Sequence, residues 1–181
     1  MPDPHEAPGG LELLRSFLNT VDLEHVADPR EGPDELDDWC AGSGLGCAGA
    51  RPADLKPLRG LREALRDLLS ANAGEGDADA AWAALEPFAA DVCLKMKVDR
   101  RGPALEPSGE GVAGTIAVLL AIVYDAVRVG TWNRLKACRQ HTCRFAFYDR
   151  SKNASGTWCS MAVCGNRNKA RRRRTRAKRV D

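Results

Sequence analysis

The residues best suited to chemistry in this 181-residue chain are four cysteines near its C-terminus. They follow the spacing C-x4-C-x15-C-x4-C and are Cys138, Cys143, Cys159 and Cys164. Two short-spaced pairs separated by a moderate insert are typical of a tetrahedral zinc site with four thiolate ligands. Because four thiolates close the coordination sphere, the spacing predicts one structural Zn²⁺ and disfavours a hydrolytic metal, which keeps a position open for water.

The remaining thiols and one histidine have alternative interpretations. His141 lies between the first two cysteines and is the alternative ligand, although four thiolates already suffice. Cys40 and Cys47 form a C-x6-C pair in a Gly-rich segment, where we expect free thiols rather than a second metal or redox pair. No secretory signal is visible, and a reducing cytoplasm keeps thiols reduced. We interpret Cys93 as a core residue.

The insert between the cysteine pairs must bring them together. R-F-A-F-Y and G-T-W-C have strand-like composition on either side of a turn at residues 151–156, so we expect a hairpin there and a helix at the final pair. Knuckle, hairpin and helix in this order form a treble-clef-like cysteine module over residues 134–181. We expect the core of this module to contain its aromatic residues, Phe145, Phe147, Tyr148 and Trp158. The alternative role for these aromatic side chains is stacking on unpaired bases.

Charge is distributed very unevenly, although the net charge is only +2. Residues 134–181 hold 15 Lys or Arg against two acids, a balance of +13, whereas residues 1–133 balance to −11. Such separation favours a polyanionic partner, most often nucleic acid. The run after Cys164 is rich in helix-forming Arg, Lys and Ala, and the major groove of duplex DNA admits one α-helix.

The candidate nucleic-acid contacts are Asn166, Arg167, Asn168, Lys169, Arg171, Arg172, Arg173, Arg174, Arg176 and Lys178. Lys and Arg neutralise phosphates, whereas Arg and Asn also pair with guanine and adenine edges. Asn166 and Arg167 lie beside a zinc ligand and suit hydrogen bonds within the module equally well.

The preceding residues predict helices around one small hairpin. Sparse aromatics (6%) and plentiful Ala and Leu favour an α+β fold that is mostly helical. We expect a disordered lead-in at 1–9, followed by a helical region over residues 10–133. This region begins with an amphipathic helix at 11–18, a short helix near 33–40 and a leucine-striped helix that is capped by Asp54 and has Pro57 in its first turn. A helix at 77–90, a hairpin across 99–102 and a helix at 109–129 follow. The last contains a 13-residue apolar run, shorter than the roughly 20 residues that span a membrane. We therefore expect a buried core helix and no membrane association.

Three polar residues of the helical region are considered for a small-molecule pocket. Asn19 and Thr20 end the first helix, and the alternative role for them is a cap and turn. Arg62, whose helix we expect to be apolar on its other face, would bind an anion or pair with an acid such as Asp125.

The run from Cys138 to Arg167, which ends in Cys164-Gly165-Asn166-Arg167, resembles the CGNR-type zinc finger over the whole module. The residues before it resemble the ABATE domain that usually precedes this finger, on the basis of Phe17-Leu18-Asn19-Thr20, Leu61-Arg62-Glu63-Ala64-Leu65 and the long helix before the module. The segment from Cys40 to Gly49 departs from that pattern. Proteins of this family are regarded as stress-related bacterial transcription regulators.

The resemblance implies a cytoplasmic regulator that binds double-stranded DNA through the finger and senses a ligand or stress through the helical region. It implies no catalysis, and the three histidines form no recognisable catalytic or metal-binding set. The alternatives are an RNA-binding or ribosome-associated module and a scaffold whose basic tail docks on an acidic protein surface. A homodimer is natural for a DNA reader, although no zipper motif is visible.

Overall fold

The computed structural model describes residues 6–21, 35–100 and 102–177. In chain order the elements are α1 (Gly10–Leu18), α2 (Leu36–Ser43), α3 (Lys56–Asn72), α4 (Ala78–Ala83), α5 (Glu86–Ala89), β1 (Cys93–Asp99), β2 (Gly102–Ser108), α6 (Gly111–Arg128), β3 (Leu135–Ala137), β4 (Ala146–Tyr148) and α7 (Asn166–Ala177). The strands form two separate antiparallel hairpins, β1–β2 and β3–β4. The predicted α+β, mostly helical class is confirmed.

The core is built on the leucine stripe of α3. Its fully buried members, none more than 1% exposed, are Leu55, Leu58, Leu61, Leu65, Leu68 and Leu69. They pack with Leu14, Phe17 and Leu18 of α1. Pro57 lies in the first turn as expected, but the predicted cap is wrong, because Leu55 occupies the N-cap and Asp54 instead pairs with Arg51 at 2.8 Å.

The faces of α3 away from the leucine stripe are not all exposed. Arg62 and Arg66 are only 2% and 1% exposed, because α1 and the cysteine module cover that side of the helix. Arg62 pairs with the neighbouring Glu63, so its expected pairing with Asp125 is wrong. Asp125 instead faces Arg128 on α6 at 3.6 Å.

The segment predicted as one helix at 77–90 is two short helices, α4 and α5. Asp77 caps α4 by accepting hydrogen bonds from the backbone N–H groups of Asp79 and Ala80. Pro87 has no N–H and is favoured in a first turn, so it lies at the start of α5 rather than inside a longer helix. Leu85 is buried, whereas Trp82 is 40% exposed.

The β1–β2 hairpin turns at 99–102 as predicted, with Asp99 paired to Gly102 and Cys93 paired to Ser108. Cys93 is exposed and not in the core, because its face of the hairpin carries polar partners. Residues 6–9 do not form a disordered lead-in: Ala7 is buried and its N–H donates to Glu12 at 2.7 Å. Residues 1–5 and Pro33 lie outside the described residues.

Helix α6 is buried less than expected. It is long and apolar enough to cross a membrane by length and composition alone, and its inner face, including Thr115, Leu119 and Val123, lies in the core. Only 39% of the helix is buried, and Tyr124 and Val127 are about half exposed. The expectation of a helix enclosed in the middle of the fold is therefore correct for one face only.

Cys40 and Cys47 form a disulfide, so the prediction of two free thiols is wrong. The end of α2 and the following loop bring their Cα atoms to 5.3 Å, within the usual range for a bridge. Both residues are buried, and the N–H of Cys47 donates to the Thr115 hydroxyl of α6 at 3.1 Å. The argument from cytoplasmic redox conditions does not hold at this pair.

The β3–β4 hairpin belongs to the cysteine module but completes the core of the helical region. Leu135, Ala137, Ala146 and Tyr148 are buried in the same continuous apolar cluster as α1 and α3. The hairpin predicted across residues 151–156 is therefore wrong. The strand before the first cysteine pairs with the strand after the second, which places the first pair in the hairpin loop.

Candidate metal centre and nucleic-acid interface

Four cysteine sulfurs converge at the end of the β3–β4 hairpin. Sγ of Cys159 lies 3.6 Å from that of Cys143 and 3.7 Å from that of Cys164, and all four sulfurs lie within 4.8 Å of one another. A tetrahedron with Zn–S bonds of about 2.3 Å has sulfur–sulfur edges of about 3.8 Å. The four cysteines therefore fit one structural zinc ion, as predicted.

The thiols of the cluster perturb one another strongly. Hydrogen bonds from the thiols of Cys143 and Cys159 lower the pKa of Cys138 to about 2. The hydrogen bond to Cys138 raises the pKa of Cys143 to about 12. Hydrogen bonds with Cys138 and Cys143 raise the pKa of Cys159. Four thiolates this close together oppose one another's ionisation, so a divalent cation is needed to stabilise all four.

The first cysteine pair is shaped by the hairpin loop. The N–H of Cys138 donates to Phe145 O at 3.0 Å, and the N–H of Cys143 donates to Gln140 O at 2.8 Å, which closes the knuckle. Arg144 then adopts a left-handed conformation with φ of 46°, uncommon for a residue with a Cβ. His141 is exposed and outside the sulfur cluster, so the alternative ligand assignment is not supported.

A buried ion pair fixes the loop between the two cysteine pairs. Lys136 Nζ lies 2.8 Å from Asp149 Oδ2, and the side chains are only 6% and 3% exposed. Asp149 also accepts hydrogen bonds from the N–H groups of Ser151 and Gly156, and Lys136 donates to the carbonyls of Ala154 and Gly156. Residues 149–156 are thereby folded back onto β3.

Burial raises the pKa of the Asp149 carboxyl, but the hydrogen bonds from Lys136, Ser151 and Gly156 outweigh it and lower the pKa to about 2. Gly156 is required by this packing. A Cβ there would lie 2.8 Å from the Asp149 carboxylate carbon, closer than a carbon contact allows.

The second cysteine pair starts the last helix. Ser160 accepts a hydrogen bond from the N–H of Val163 and caps a π-helical turn at Met161–Gly165, and α7 continues from Asn166. Gly165 is buried beside Met161 and Trp158, with little space for a side chain. Among the predicted finger-core aromatics, Phe147 and Tyr148 are buried and Trp158 is half-buried, but Phe145 is 39% exposed.

Helix α7 carries most of the predicted nucleic-acid contacts on an open surface. The exposed ones are Asn166, Arg167, Lys169, Arg171, Arg173 and Arg174. Asn168 instead faces inward at 8% exposure, with no partner for its Oδ1, and the Asn166 amide donates to Ala162 O at 3.0 Å. Arg172 and Arg176 lie on the helix, but the structure does not describe their side chains, and Lys178 lies outside the described residues.

Several other bases of the module hold it against the helical region. Arg139 donates to Ala73 O at the end of α3, and Arg144 pairs with Asp67 at 2.7 Å. The +13 balance counted from the sequence therefore overstates the charge free for a polyanion. Basic residues are most densely placed on α7, which has seven Lys or Arg and no acid in 12 residues.

The three residues considered for a small-molecule pocket make internal contacts. Asn19 exchanges two hydrogen bonds with the backbone of Ala146 on β4, at 2.8 and 3.0 Å. Arg62 donates to the Thr20 hydroxyl at 2.7 Å. Asn19 and Thr20 also border a cavity of about 430 Å³ between α1, α2 and Phe145, so a ligand role for them stays a prediction.

Two family models match the chain. The model named ABATE, described as "Putative stress-induced transcription regulator", covers residues 11–131, two thirds of the sequence. The chain belongs to the ABATE family. The CGNR zinc finger model covers residues 134–177, which confirms the resemblance that Cys164-Gly165-Asn166-Arg167 indicated. Neither description is that of an enzyme. No curated protein matches the chain.

Sequence reasoning missed the contacts through which the ABATE region and the finger meet. Arg66 donates to Leu18 O at the end of α1 and to Arg144 O in the knuckle, at 2.5 and 3.1 Å. Burial lowers the pKa of Arg66 to about 10. Asn72 donates to the carbonyls of Trp132 and Leu135. These partners are backbone carbonyls, which a sequence pattern does not identify.

Proposed function

We propose that this protein is a cytoplasmic, nucleoid-associated transcription regulator that binds double-stranded DNA through α7. Residues 134–181 would form the DNA-binding finger, and residues 10–133 the regulatory domain that responds to a ligand or stress signal. The observation that carries the proposal is the long exposed helix with seven bases and no acid, which starts directly at a closed zinc centre.

The physical argument rests on what α7 offers to DNA. A 12-residue helix is about 18 Å long, and its width suits the major groove. Its exposed Lys and Arg side chains release counterions from the phosphates and supply affinity independent of sequence. Asn166 and Arg167, at its N-terminal end, are the exposed residues chemically suited to base edges.

The contacts between finger and ABATE region support regulation through orientation. Arg66, Asn72 and Asn19 of the helical region hold the backbone on either side of the first cysteine pair. A ligand that moves α1 or α3 would therefore move the finger, because both helices contact it directly.

The proposal is tested by fluorescence anisotropy with the zinc-loaded full chain and labelled duplex DNA, titrated with salt. Replacing Arg171 to Arg174 with Ala should weaken duplex binding and make the slope of log K against log[salt] shallower by about 3 to 4. A matched control replaces four exposed bases of the helical region, Arg51, Lys95, Arg100 and Arg128, with Ala. The control removes the same charge and should retain the slope.

Two results would overturn this assignment. Equal losses in both variants would mean that binding follows net charge rather than α7. Stronger binding to single-stranded RNA than to duplex DNA would favour the RNA-binding or ribosome-associated alternative, in which the exposed Phe145 would stack on a base. The full chain is used throughout because β3 and β4 complete the core of the helical region.

A further inference from the structure

The same chain holds one oxidised cysteine pair and four cysteines that must be thiolates to bind zinc. In a cytoplasm, low-molecular-weight thiols keep most cysteines reduced, and the disulfides that do occur there are usually transient. For the cytoplasmic protein proposed above, a Cys40–Cys47 bridge that opens and closes is therefore the expected behaviour.

The bridge joins two segments that are attached to different helices of the core. On one side, α2 is attached to α1. The indole N–H of Trp39 donates to the Ser16 hydroxyl at 2.9 Å, and the centre of its ring system lies 5.1 Å from that of Phe17. On the other side, the loop after α2 is attached to α6, because the N–H of Cys47 donates to the Thr115 hydroxyl. The bridge thus connects α1, through α2, to the first turns of α6.

Few buried side chains hold α2 in place. Of its eight residues, only Leu36 and Cys40 are buried. Ala41 and Ala48, which directly follow the two cysteines in the chain, are both exposed. A segment with so few buried side chains opens locally far more often than the whole chain unfolds. Local opening of α2 therefore gives small reagents access to both sulfurs while the core stays folded.

We propose that Cys40 and Cys47 form a reversible redox site, which a hydroperoxide oxidises and a low-molecular-weight thiol reduces, and whose state decides how firmly α1 holds the finger. The hydroperoxide oxidises one thiolate to a sulfenic acid, takes up a proton and leaves as water or an alcohol. The second thiol attacks the sulfenic sulfur, forms the S–S bond and releases water. In the reverse direction, two molecules of the low-molecular-weight thiol supply two electrons and leave as their own disulfide.

The redox site is connected to the finger through the end of α1. The N–H of Glu35, directly before α2, donates to Thr20 O at 2.8 Å, and the Thr20 hydroxyl accepts from Arg62. The neighbouring Asn19 exchanges two hydrogen bonds with Ala146 of the finger. When the bridge opens, α2 separates from α1 more often and this end of α1 is held less firmly. For the proposed DNA-binding role, the oxidised form is therefore the one that holds α7 in a fixed direction.

The first test measures the bridge itself in the zinc-loaded full chain, equilibrated in glutathione buffers from fully oxidising to as reducing as the cytoplasm. The chain has seven cysteines, so alkylation after denaturation adds five groups when the bridge is closed and seven when it is open. We expect the count to change from five to seven within this range. Cys93→Ser is the matched control, because it removes the exposed thiol and excludes glutathione attached there. Hydrogen peroxide added to the reduced, zinc-loaded chain should close the bridge before zinc is released.

The second test measures whether the bridge controls the finger. Opening the bridge should speed the amide exchange of α2 by roughly tenfold or more, because the cross-link no longer restricts the opened segment. Zinc transfer from the finger to a chelator should become roughly threefold faster or more, because Ala146 is held less firmly. Cys40→Ala/Cys47→Ala should show the faster rates in oxidising and reducing buffer alike, whereas Cys93→Ser should respond to the buffer as the native chain does.

Three results would overturn the proposal. The first is a bridge that stays closed in the most reducing buffer, which is the behaviour of a permanent structural disulfide. The second is release of zinc by peroxide before the bridge closes, which would make the zinc centre the redox-sensitive site. The third is an equal rate of zinc transfer with the bridge open and closed. None of these measurements contains DNA, so failure of this proposal is distinguishable from failure of DNA binding.

Discussion

The buried pair of Lys136 and Asp149 allows a quantitative prediction for the variant Asp149→Asn. The carboxylate accepts three hydrogen bonds, from Lys136, Ser151 and Gly156, at 2.7 to 3.0 Å. Asparagine has nearly the same shape, but only one of its two terminal groups accepts hydrogen bonds. The change therefore removes the charge that neutralises a buried ammonium and turns one N–H contact into a donor–donor clash.

The magnitude follows from the pKa of Asp149. A decrease from 3.8 to about 2 corresponds to about 2.5 kcal/mol of stability at neutral pH. The backbone N–H left without an acceptor adds about 1 to 3 kcal/mol. We therefore expect Asp149→Asn to lower the free energy of unfolding by about 3.5 to 5.5 kcal/mol, close to the cost of removing one member of a buried ion pair.

The assay is urea unfolding of the zinc-loaded chain, and an exposed ion pair provides the control. Lys97 and Glu106 lie 2.5 Å apart on the hairpin and are more than half exposed, so Glu106→Gln should cost less than about 1 kcal/mol. Lys136→Met/Asp149→Asn should recover part of the loss, because no charge is then buried without a partner. Equal costs for Asp149→Asn and Glu106→Gln would refute the reasoning.

The pH dependence gives a second check on the same variant. Because the folded pKa lies below the unfolded value, the contribution of Asp149 is fully present above about pH 4 to 5 and is lost as pH falls toward 2. The difference between the native chain and Asp149→Asn should therefore be constant from about pH 8 to pH 5. A difference that shrinks by pH 6 would contradict the lowered pKa.

Three further predictions concern the contacts around the finger. Asn19→Ala should lower the free energy of unfolding by about 2 kcal/mol and speed the transfer of zinc to a chelator, because the N–H and C=O of Ala146 both lose a hydrogen-bond partner. A rate of zinc transfer equal to that of the native chain would contradict this. Reducing the Cys40–Cys47 bridge, which closes a loop of sequence separation 7, should lower the free energy of unfolding by about 2.5 kcal/mol, and the double alanine variant should be insensitive to reductant. Removing zinc should release one metal per chain, make four thiols reactive together and reduce helicity, whereas stepwise thiol exposure would argue against a closed four-thiolate site.

Sequence spacing was sufficient wherever the partners are set by local geometry. Two short-spaced cysteine pairs can meet at one metal, and leucines recurring at helical spacing must share one face of α3. The β1–β2 hairpin followed from alternation and a turn. Each of these patterns involves residues whose relative positions the backbone period fixes, so no knowledge of the rest of the chain was needed.

Prediction failed where a distant surface changed the environment of a residue. Arg62 and Arg66 have the helical spacing of solvent-facing residues, yet α1 and the finger bury them. The strand-like segment 144–148 pairs backward with β3 rather than forward with residues 156–159, because β3 already lies against α3 and offers a buried partner. The disulfide depends on how the loop after α2 folds against α6. Tertiary packing decided each case.

The way the finger is attached explains why these polar contacts matter for function. A small zinc module cannot bury enough apolar surface to hold an orientation by itself, and within the part of the chain that the structure describes it contributes one short hairpin to the main core. Hydrogen bonds from Arg66, Asn72 and Asn19 to backbone groups are directional, and leaving any of those groups buried without a partner is costly. They therefore select one orientation where apolar packing would tolerate several. Because α7 starts at the zinc centre that these contacts hold, the direction in which it leaves the molecule is determined by α1 and α3.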